Sequence, residues 1–302
     1  IRKNNSRAYL VTYPIVTAIV LNWCDEEGTT ECLNSLLKSE YRMLEILLVD
    51  NGSTDNSFVG LKASFPEIEV LQTGKNLGYA GGNNRGMERA LMANPDYVLI
   101  LNNDTVIDPH AIGKMVELAE KAEGRVGGVV PKILYYHDPE RIWYGGGEFS
   151  ALKGLGIHWQ EGHMDQSDRV EEAHLVTFMT GACCLLSVEV VRELKGFDES
   201  FFAYVEDADL SLRMTEAGYQ MYYQPKARVL HQCPLPGSPP SPFQIRQRDR
   251  NRRRIMRKHG SISERPIFLL RFFVSRIILL VKYSLTRDWE RARAILNGMG
   301  FG

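Results

Sequence analysis

Cysteine is scarce and unpatterned in this chain of 302 residues: Cys24, Cys32, Cys183, Cys184 and Cys233 fall in no paired ligand spacing. That excludes a disulfide framework and the usual structural zinc motifs, and an odd count of free thiols fits a reducing compartment. Long apolar runs are missing as well. The most apolar stretch, 267–283, is broken by Arg271, Arg276 and Lys282, too interrupted for a membrane span. Residues 1–9 are polar and basic with no apolar stretch behind them, so no secretory leader is expected and a cytoplasmic location is. There is no internal repeat and no long low-complexity tract.

Net charge is small too, at −1, but it is unevenly spread. Residues 243–293 hold 15 Lys/Arg against 4 Asp/Glu, a surplus of 11, which leaves the remainder at −12. Such asymmetry points to an anionic partner for the tail. Hydrophobic residues make up 44%, enough for one large α/β unit with an appendage.

Apolar runs at 15–23, 45–50, 69–71 and 97–101 read as strands, the first rich in β-branched residues. Helical spacing lies between them, with Cys32, Leu33, Leu36 and Leu37 on one face, and again from about Asn83 to Met92 and from about Pro109 to Ala122. This alternation predicts a mostly parallel sheet with helices on both faces. Asp108, just before Pro109, is the expected cap of the last of these helices. The glycines at 145–147 and 153–156 mark loops. Tyr219–Tyr223 and Arg228–Leu230 read as two strands flanking a turn. Five prolines in 233–242 set a boundary. The expected organisation is an N-terminal extension (1–14), a catalytic unit (15–232), a Pro-rich linker (233–242) and a basic amphipathic helical tail (243–302).

Several residues carry chemistry. Asn102, Asn103 and Asp104 directly follow a buried strand, where ligands bind in open α/β sheets and where unpaired polar groups are costly. Asp104 is the metal-ligand candidate, with Asn102 helping through its amide oxygen. His231, after another strand, can add a nitrogen, and such a mixed set suits Mn²⁺ or Mg²⁺ with substrate phosphates completing the shell; the plainer reading is a structural histidine. Asp50 ends a strand and can accept from the N3–H of a uracil or thymine, or simply satisfy turn amides. The segment Asn76–Asn84, with Gly78, Gly81 and Gly82, can cradle an anion or be an ordinary turn; it lacks a P-loop lysine. Glu206, Asp207 and Asp209 open a helix, where acids are favoured by the dipole, but packed like charges also raise a pKa and so prepare a base. Arg213 is placed to pair with Asp209, which leaves Asp207 for chemistry. A metal site and a separate base are what sugar transfer from a nucleotide needs. The arginines of 246–254 can face solvent, nucleic acid or anionic lipid. Aromatic interleaving is poor for nucleic acid, and Phe268–Leu279 beside cations has the make-up of an interfacial helix, so composition favours a membrane surface over packing on the catalytic unit.

Five segments in order, Thr17–Trp23, Leu48–Asp55, Asn76–Asn84, Leu101–Thr105 and Gly196–Glu199 with Phe202–Arg213, resemble glycosyltransferase family 2, the inverting GT-A enzymes, in its rhamnosyltransferase-like and galactofuranosyltransferase-like branch. The resemblance covers Ile15 to His231. It implies a GT-A (nucleotide-diphospho-sugar transferase) fold with a mixed, mostly parallel sheet and a helical basic C-terminal extension. It implies that Leu21, Asn22 and Asp50 hold a pyrimidine nucleoside, that Asn76, Gly78 and Asn83 lie near the diphosphate and donor sugar with Asn102 and Asn103, and that Asp104 and His231 bind the metal. Asp207 would be the base and Glu206 would meet the acceptor. The motif that usually begins with Asp begins here with Asn102, and Asn83 stands where many members have Arg. The implied activity is transfer from a UDP- or dTDP-sugar to a glycan or lipid-linked acceptor in cell-wall or polysaccharide synthesis, at the inner face of the cell membrane; glycine content alone suggests that Gly145–Gly156 moves over the acceptor. The competing readings are a nucleotidyltransferase and a non-catalytic membrane-associated module.

Overall fold

The computed structural model describes residues 13–165 and 172–300. The first half alternates as the apolar periodicity predicts: β1 (Val16–Asn22), α1 (Glu26–Leu37), β2 (Leu44–Asp50), α2 (Ser57–Ser64), β3 (Glu69–Gln72), α3 (Gly78–Ala90), β4 (Tyr97–Asn102), β5 (Thr105–Ile107) and α4 (Ala111–Lys121). Then come β6 (Val126–Tyr135), β7 (Asp138–Tyr144), β8 (Gly147–Ser150), β9 (Leu155–His158), β10 (His174–Val176), β11 (Cys183–Ser187), α5 (Val188–Leu194), α6 (Glu206–Glu216) and β12 (Gln220–His231). The tail forms α7 (Pro242–Lys258), α8 (Glu264–Leu285) and α9 (Trp289–Met299).

The main sheet runs β10-β12-β6-β11-β4-β1-β2-β3. Strands β4, β1, β2 and β3 are parallel, β11 runs antiparallel between β4 and β6, and β12 is parallel to β6. Parallel register aligns the carboxyl ends of β1, β2 and β4, so Asn22 lies beside Asp50, and Leu21 beside Asn102. On the far side β5 pairs antiparallel with the end of β12, which sets Thr105 opposite His231. Asp104 and His231 become neighbours through that register. The interior side chains Ile19, Leu48, Val98, Leu99 and Ile100 are essentially solvent-free, the burial that continuous apolar strands are built for.

Four local expectations are corrected. The glycines of 78–82 are not a turn before a helix; they form the first turns of α3, and the absence of side chains lets that helix lie close on the sheet. A Cβ on Gly86, further along, would stand 2.6 Å from Ile19 Cγ2. The 147–158 region is a hairpin, β8 with β9, rather than loops; Gly156 is needed there because the Phe178 ring lies directly against its backbone. Residues 220–231 are one strand whose irregularity between Gln224 and Arg228 absorbs the apparent turn. Asp108 does not cap α4: its Oδ1 accepts from His110 N at 2.9 Å, and the helix starts at Ala111.

The tail packs on the catalytic unit. Ser241 caps α7, its side chain accepting from Gln244 N, and Pro242 occupies the first turn, where its missing N–H costs nothing. Phe268 and Phe272 of α8 are fully buried, each contributing about 2–3 kcal/mol of burial. The opposite face of α8 is bare: Ile267, Leu270, Ile277, Ile278 and Leu285 are all exposed. Among the described residues, no helix is long and apolar enough to cross a membrane.

Candidate active site

At the carboxyl ends of β1 and β2 the polar groups are mutually engaged. Asn22 is fully buried; its Nδ2 donates to Asp50 Oδ1 (3.2 Å), Ser53 Oγ (3.1 Å) and Ser57 Oγ (3.2 Å), and its Oδ1 accepts from Thr29 Oγ1 (2.9 Å). Its side chain is therefore spent on holding Asp50 and the Ser53 turn. Asn76 Oδ1 accepts from Gly78 N (2.8 Å), and Asn51 links to both Asn76 and the Gly78 carbonyl, which fixes the entry of α3. Gly78 has φ +70 to +80 backbone geometry (φ 75) and backs onto the Phe202 carbonyl, so only glycine fits. Asn103 donates to Asp25 Oδ2 (2.8 Å) and Thr29 Oγ1 (3.0 Å), which ties the end of β4 to the start of α1. Asn83 is buried, donating to the Tyr79 carbonyl while its Oδ1 has no partner.

Beyond these lies a cavity of ≈ 630 Å³, lined among others by Asn102, Glu206, Asp207, His231 and Arg248. Asp104 adjoins it through His231, whose Nε2 is 3.2 Å from Asp104 Oδ1. Burial alone would depress the His231 imidazole, but Asp104 and Cys233 outweigh it and hold the ring up at about 10. The residues fit a hard cation. Among the described residues, Asn102 Oδ1 and Asp104 Oδ1 are buried oxygens with no aligned hydrogen-bond donor, next to an imidazole that can exchange its proton for a metal. No cluster of three or more acid, thiol or imidazole groups able to hold a metal occurs among the described residues, so an ion here would complete its shell with the Asn102 amide and with phosphate oxygens.

Glu206 and Asp207 open α6 after an unusual approach. Phe202, Tyr204 and Val205 have φ of 56°, 67° and 77°, left-handed values that non-glycine residues, β-branched valine above all, adopt only when held there. The holder comes from the tail: Asn251 Nδ2 lies 2.7, 2.9 and 2.8 Å from the carbonyl oxygens of Phe201, Ala203 and Tyr204. Asp207 accepts from Gly181 N (3.2 Å) and Ala208 N (2.8 Å). Burial raises both carboxyls. Glu206 goes further, being next to Asp207, whereas the two N–H donors oppose the rise at Asp207. The two therefore titrate as one pair that takes up a proton more readily than isolated carboxylates, with the N–H donors favouring charge at Asp207. Asp209 takes the structural place that the spacing predicts: it is solvent-free, 2.7 Å from Arg213 Nε, and also bonded to Lys258, the last residue of α7, and to His259 just after it.

Sequence reasoning singled out Asn102, Asp104, Glu206, Asp207 and His231, and the structure brings these together; Leu21, Asn22, Asp50, Asn76, Gly78, Asn83 and Asn103 lie outside the cavity lining. It missed Trp143, whose ring meets His158 and His231 edge-on at 4.4 and 4.5 Å, and the tail residues Arg248 and Asn251. The only sequence signal for the latter two was the polar face of an arginine-dense helix.

The family model described as "Glycosyltransferase like family 2" matches residues 14–256. Over 218 residues the chain is 31% identical to the N-acetylglucosaminyl-diphospho-decaprenol L-rhamnosyltransferase of Mycobacterium tuberculosis (strain ATCC 25618 / H37Rv), covering 66% of this chain and 70% of that one. It is 30% identical over 237 residues to the O-antigen biosynthesis protein RfbC of Myxococcus xanthus, covering 74% of this chain but 18% of the relative. Among solved structures, GalNAc-T7 with UDP, GalNAc and Mn²⁺ superposes with TM-score 0.62 at 17% identity over 81% of this chain and 48% of that chain. The mannosyltransferase PcManGT from Pyrobaculum calidifontis with GDP-Man and Mn²⁺ gives 0.58 at 14% identity, over 96% and 87%. The fold is GT-A, and the chain belongs to glycosyltransferase family 2 as a rhamnosyltransferase-like glycosyltransferase.

Proposed function

We propose that the protein transfers a sugar, with inversion, from a UDP- or dTDP-sugar to a hydroxyl of a glycan or lipid-linked acceptor. The observation that carries this reading is the meeting of Asn102, Glu206, Asp207 and His231 around one cavity, with Asp104 joined to His231. The M. tuberculosis relative, named for a rhamnosyl transfer to a diphospho-decaprenol acceptor, supports a rhamnose-like donor and a lipid-linked acceptor.

Asp207 takes the proton of the acceptor hydroxyl as its oxygen attacks the anomeric carbon opposite the nucleotide. The Gly181 and Ala208 N–H groups favour the charged form of that carboxylate and fix it in place. Glu206, beside it on the cavity wall, meets the acceptor. Asp104, His231 and the Asn102 amide would hold a divalent cation, Mn²⁺ or Mg²⁺; when bound it would supply positive charge to the departing diphosphate. Asp50 and Leu21 face the pyrimidine with Asn22 supporting Asp50 from behind, and Asn76, Gly78 and Asn83 shape the start of α3 towards the donor, with Asn103 anchoring the strand end. The bare apolar face of α8, flanked by Arg271 and Lys282, rests on an anionic membrane surface and keeps the enzyme peripheral to it.

The test is a screen of UDP- and dTDP-sugars for nucleoside diphosphate release, with and without Mn²⁺ or Mg²⁺. Metal-dependent release from at least one donor is expected. Pyrophosphate release from nucleoside triphosphates instead would overturn the reading.

A further inference from the structure

Helix α7 turns one polar face to the cavity and the acidic turn. Gln244 and Arg248, one turn apart, line the cavity, and Asn251, almost one turn further on, grips the turn that leads into α6. Arg252 Nε donates to the Lys153 carbonyl (2.7 Å), which pins the β8–β9 hairpin to α7, and Lys153 lines the same cavity as Arg248. Three neighbouring arginines of α7 and α8 have direct partners. Arg252 and Arg276 share Asp249, and Arg253 donates to the Gly298 carbonyl. Arg248 differs: among the described residues it makes no direct hydrogen bond or ion pair, though Glu161, Tyr204 and Asp249 attract it through space. Burial pulls its guanidinium below the usual range, as it does that of the paired Arg252.

We propose that Arg248, with Lys153 lining the same cavity, receives a phosphate group carried by the acceptor close to the reacting hydroxyl. This deepens the transferase reading of the cavity and rests on it. An arginine fork and a lysine at one rim suit a multiply charged tetrahedral anion better than a neutral sugar. Three carboxylates, Glu161, Glu206 and Asp207, line the same cavity, and burial raises each of them towards its neutral form. We place the phosphate on the acceptor side because Arg248 and Lys153 share the cavity with Asp207, the 203–205 turn and the β8–β9 hairpin, while Asn102 and His231, which line it too, serve the donor diphosphate. Asn22 and Asp50, at the nucleoside end, are not part of its wall. Trp143, Leu155, Ile157 and Phe178 line the same cavity and supply apolar surface for the sugar that bears the hydroxyl.

The probe is farnesyl diphosphate, a short isoprenyl diphosphate, titrated into the full chain by calorimetry with UDP, dTDP and Mn²⁺ already saturating, and farnesol is the uncharged control. Farnesyl diphosphate is expected to bind and farnesol to bind at least ~10-fold more weakly; Arg248→Gln should weaken the diphosphate by ~10-fold or more and Arg248→Lys by less. UDP and dTDP affinities, measured separately, should stay within twofold of wild type in both variants. Equal binding of farnesyl diphosphate by wild type and Arg248→Gln would overturn the proposal. So would a loss of UDP or dTDP affinity in Arg248→Gln as large as the loss for farnesyl diphosphate, which would give the phosphate to the donor. Arg248 makes no direct hydrogen bond within the fold, so the variant should melt as wild type does. Failure of the transferase reading itself would show separately, as no nucleoside diphosphate release from any donor by the wild-type chain.

Discussion

Replacing Asn251 by alanine probes how the tail and the reaction centre are joined. The amide of Asn251 has two protons for three carbonyl oxygens at 2.7, 2.9 and 2.8 Å, so one proton is shared. Those carbonyls belong to the segment holding Phe202, Tyr204 and Val205 in left-handed backbone, each such residue costing roughly 1–3 kcal/mol. Alanine removes two net hydrogen bonds of about 1 kcal/mol each, and leaving their buried carbonyls unpaired adds about 1–3 kcal/mol in all. Together these give a loss of ~3–5 kcal/mol, and with roughly 1.5–2 °C per kcal/mol for a chain of 302 residues, a fall in Tm of ~5–10 °C. The relaxed turn also frees the start of α6, where a displacement of ~1 Å at Asp207 costs up to ~10²-fold in kcat, with the donor KM nearly unchanged. Circular-dichroism melts and nucleoside diphosphate release measure both effects. Asn251→Asp, which keeps the shape but turns a carboxylate towards three carbonyls, should be no better than alanine. A wild-type Tm together with wild-type kcat in Asn251→Ala would refute the reasoning.

The remaining predictions concern stability and attachment. Burial alone would raise the Asp209 carboxyl, but His259, Lys258 and Arg213 outweigh it and lower it; its contribution is complete above the ordinary value of about 4 and is lost as pH falls through the lower folded value. For His259, burial lowers the imidazole but Asp209 and Glu216 raise it on balance, so its contribution is complete below about 6.5 and lost as pH rises through the raised folded value. Asp209→Asn should cost ~3–5 kcal/mol at neutral pH and flatten the acid side of a Tm-against-pH curve; an unaltered curve would contradict the network. Gly86→Ala should destabilise by ~1–3 kcal/mol, read by urea unfolding, because its Cβ would lie 2.6 Å from the stiff Ile19 side chain. Leu270→Glu with Ile278→Glu, on the bare face of α8, should abolish co-sedimentation with anionic liposomes without lowering Tm. Wild-type pelleting by that double variant would remove the membrane role. Deleting the whole tail is a poor version of the test, since α7 is built into the site.

The strand ends were legible because buried parallel strands read as continuous apolar runs, and polar residues just after them are conspicuous: hence Asp50, Asn102 and Asp104. Asp207 was separable from Asp209 because Arg213 lies one helical turn after the latter, and the pair is present at 2.7 Å. Glycine was misleading in both directions. At 78–82 it marks a helix pressed against the sheet, and at 147–158 a hairpin crossed by the Phe178 ring, neither of which a local turn rule can see. Arg248 and Asn251 were hidden for a different reason. In a run of arginines the periodicity gives the faces of a helix but not what they meet, and here the partners lie about 50 residues earlier.

Turnover and donor binding of Asp207→Asn, measured side by side, test the central claim most directly. The account predicts donor nucleotide bound as tightly as by wild type and turnover lower by ~10²-fold or more. Undiminished turnover would contradict it.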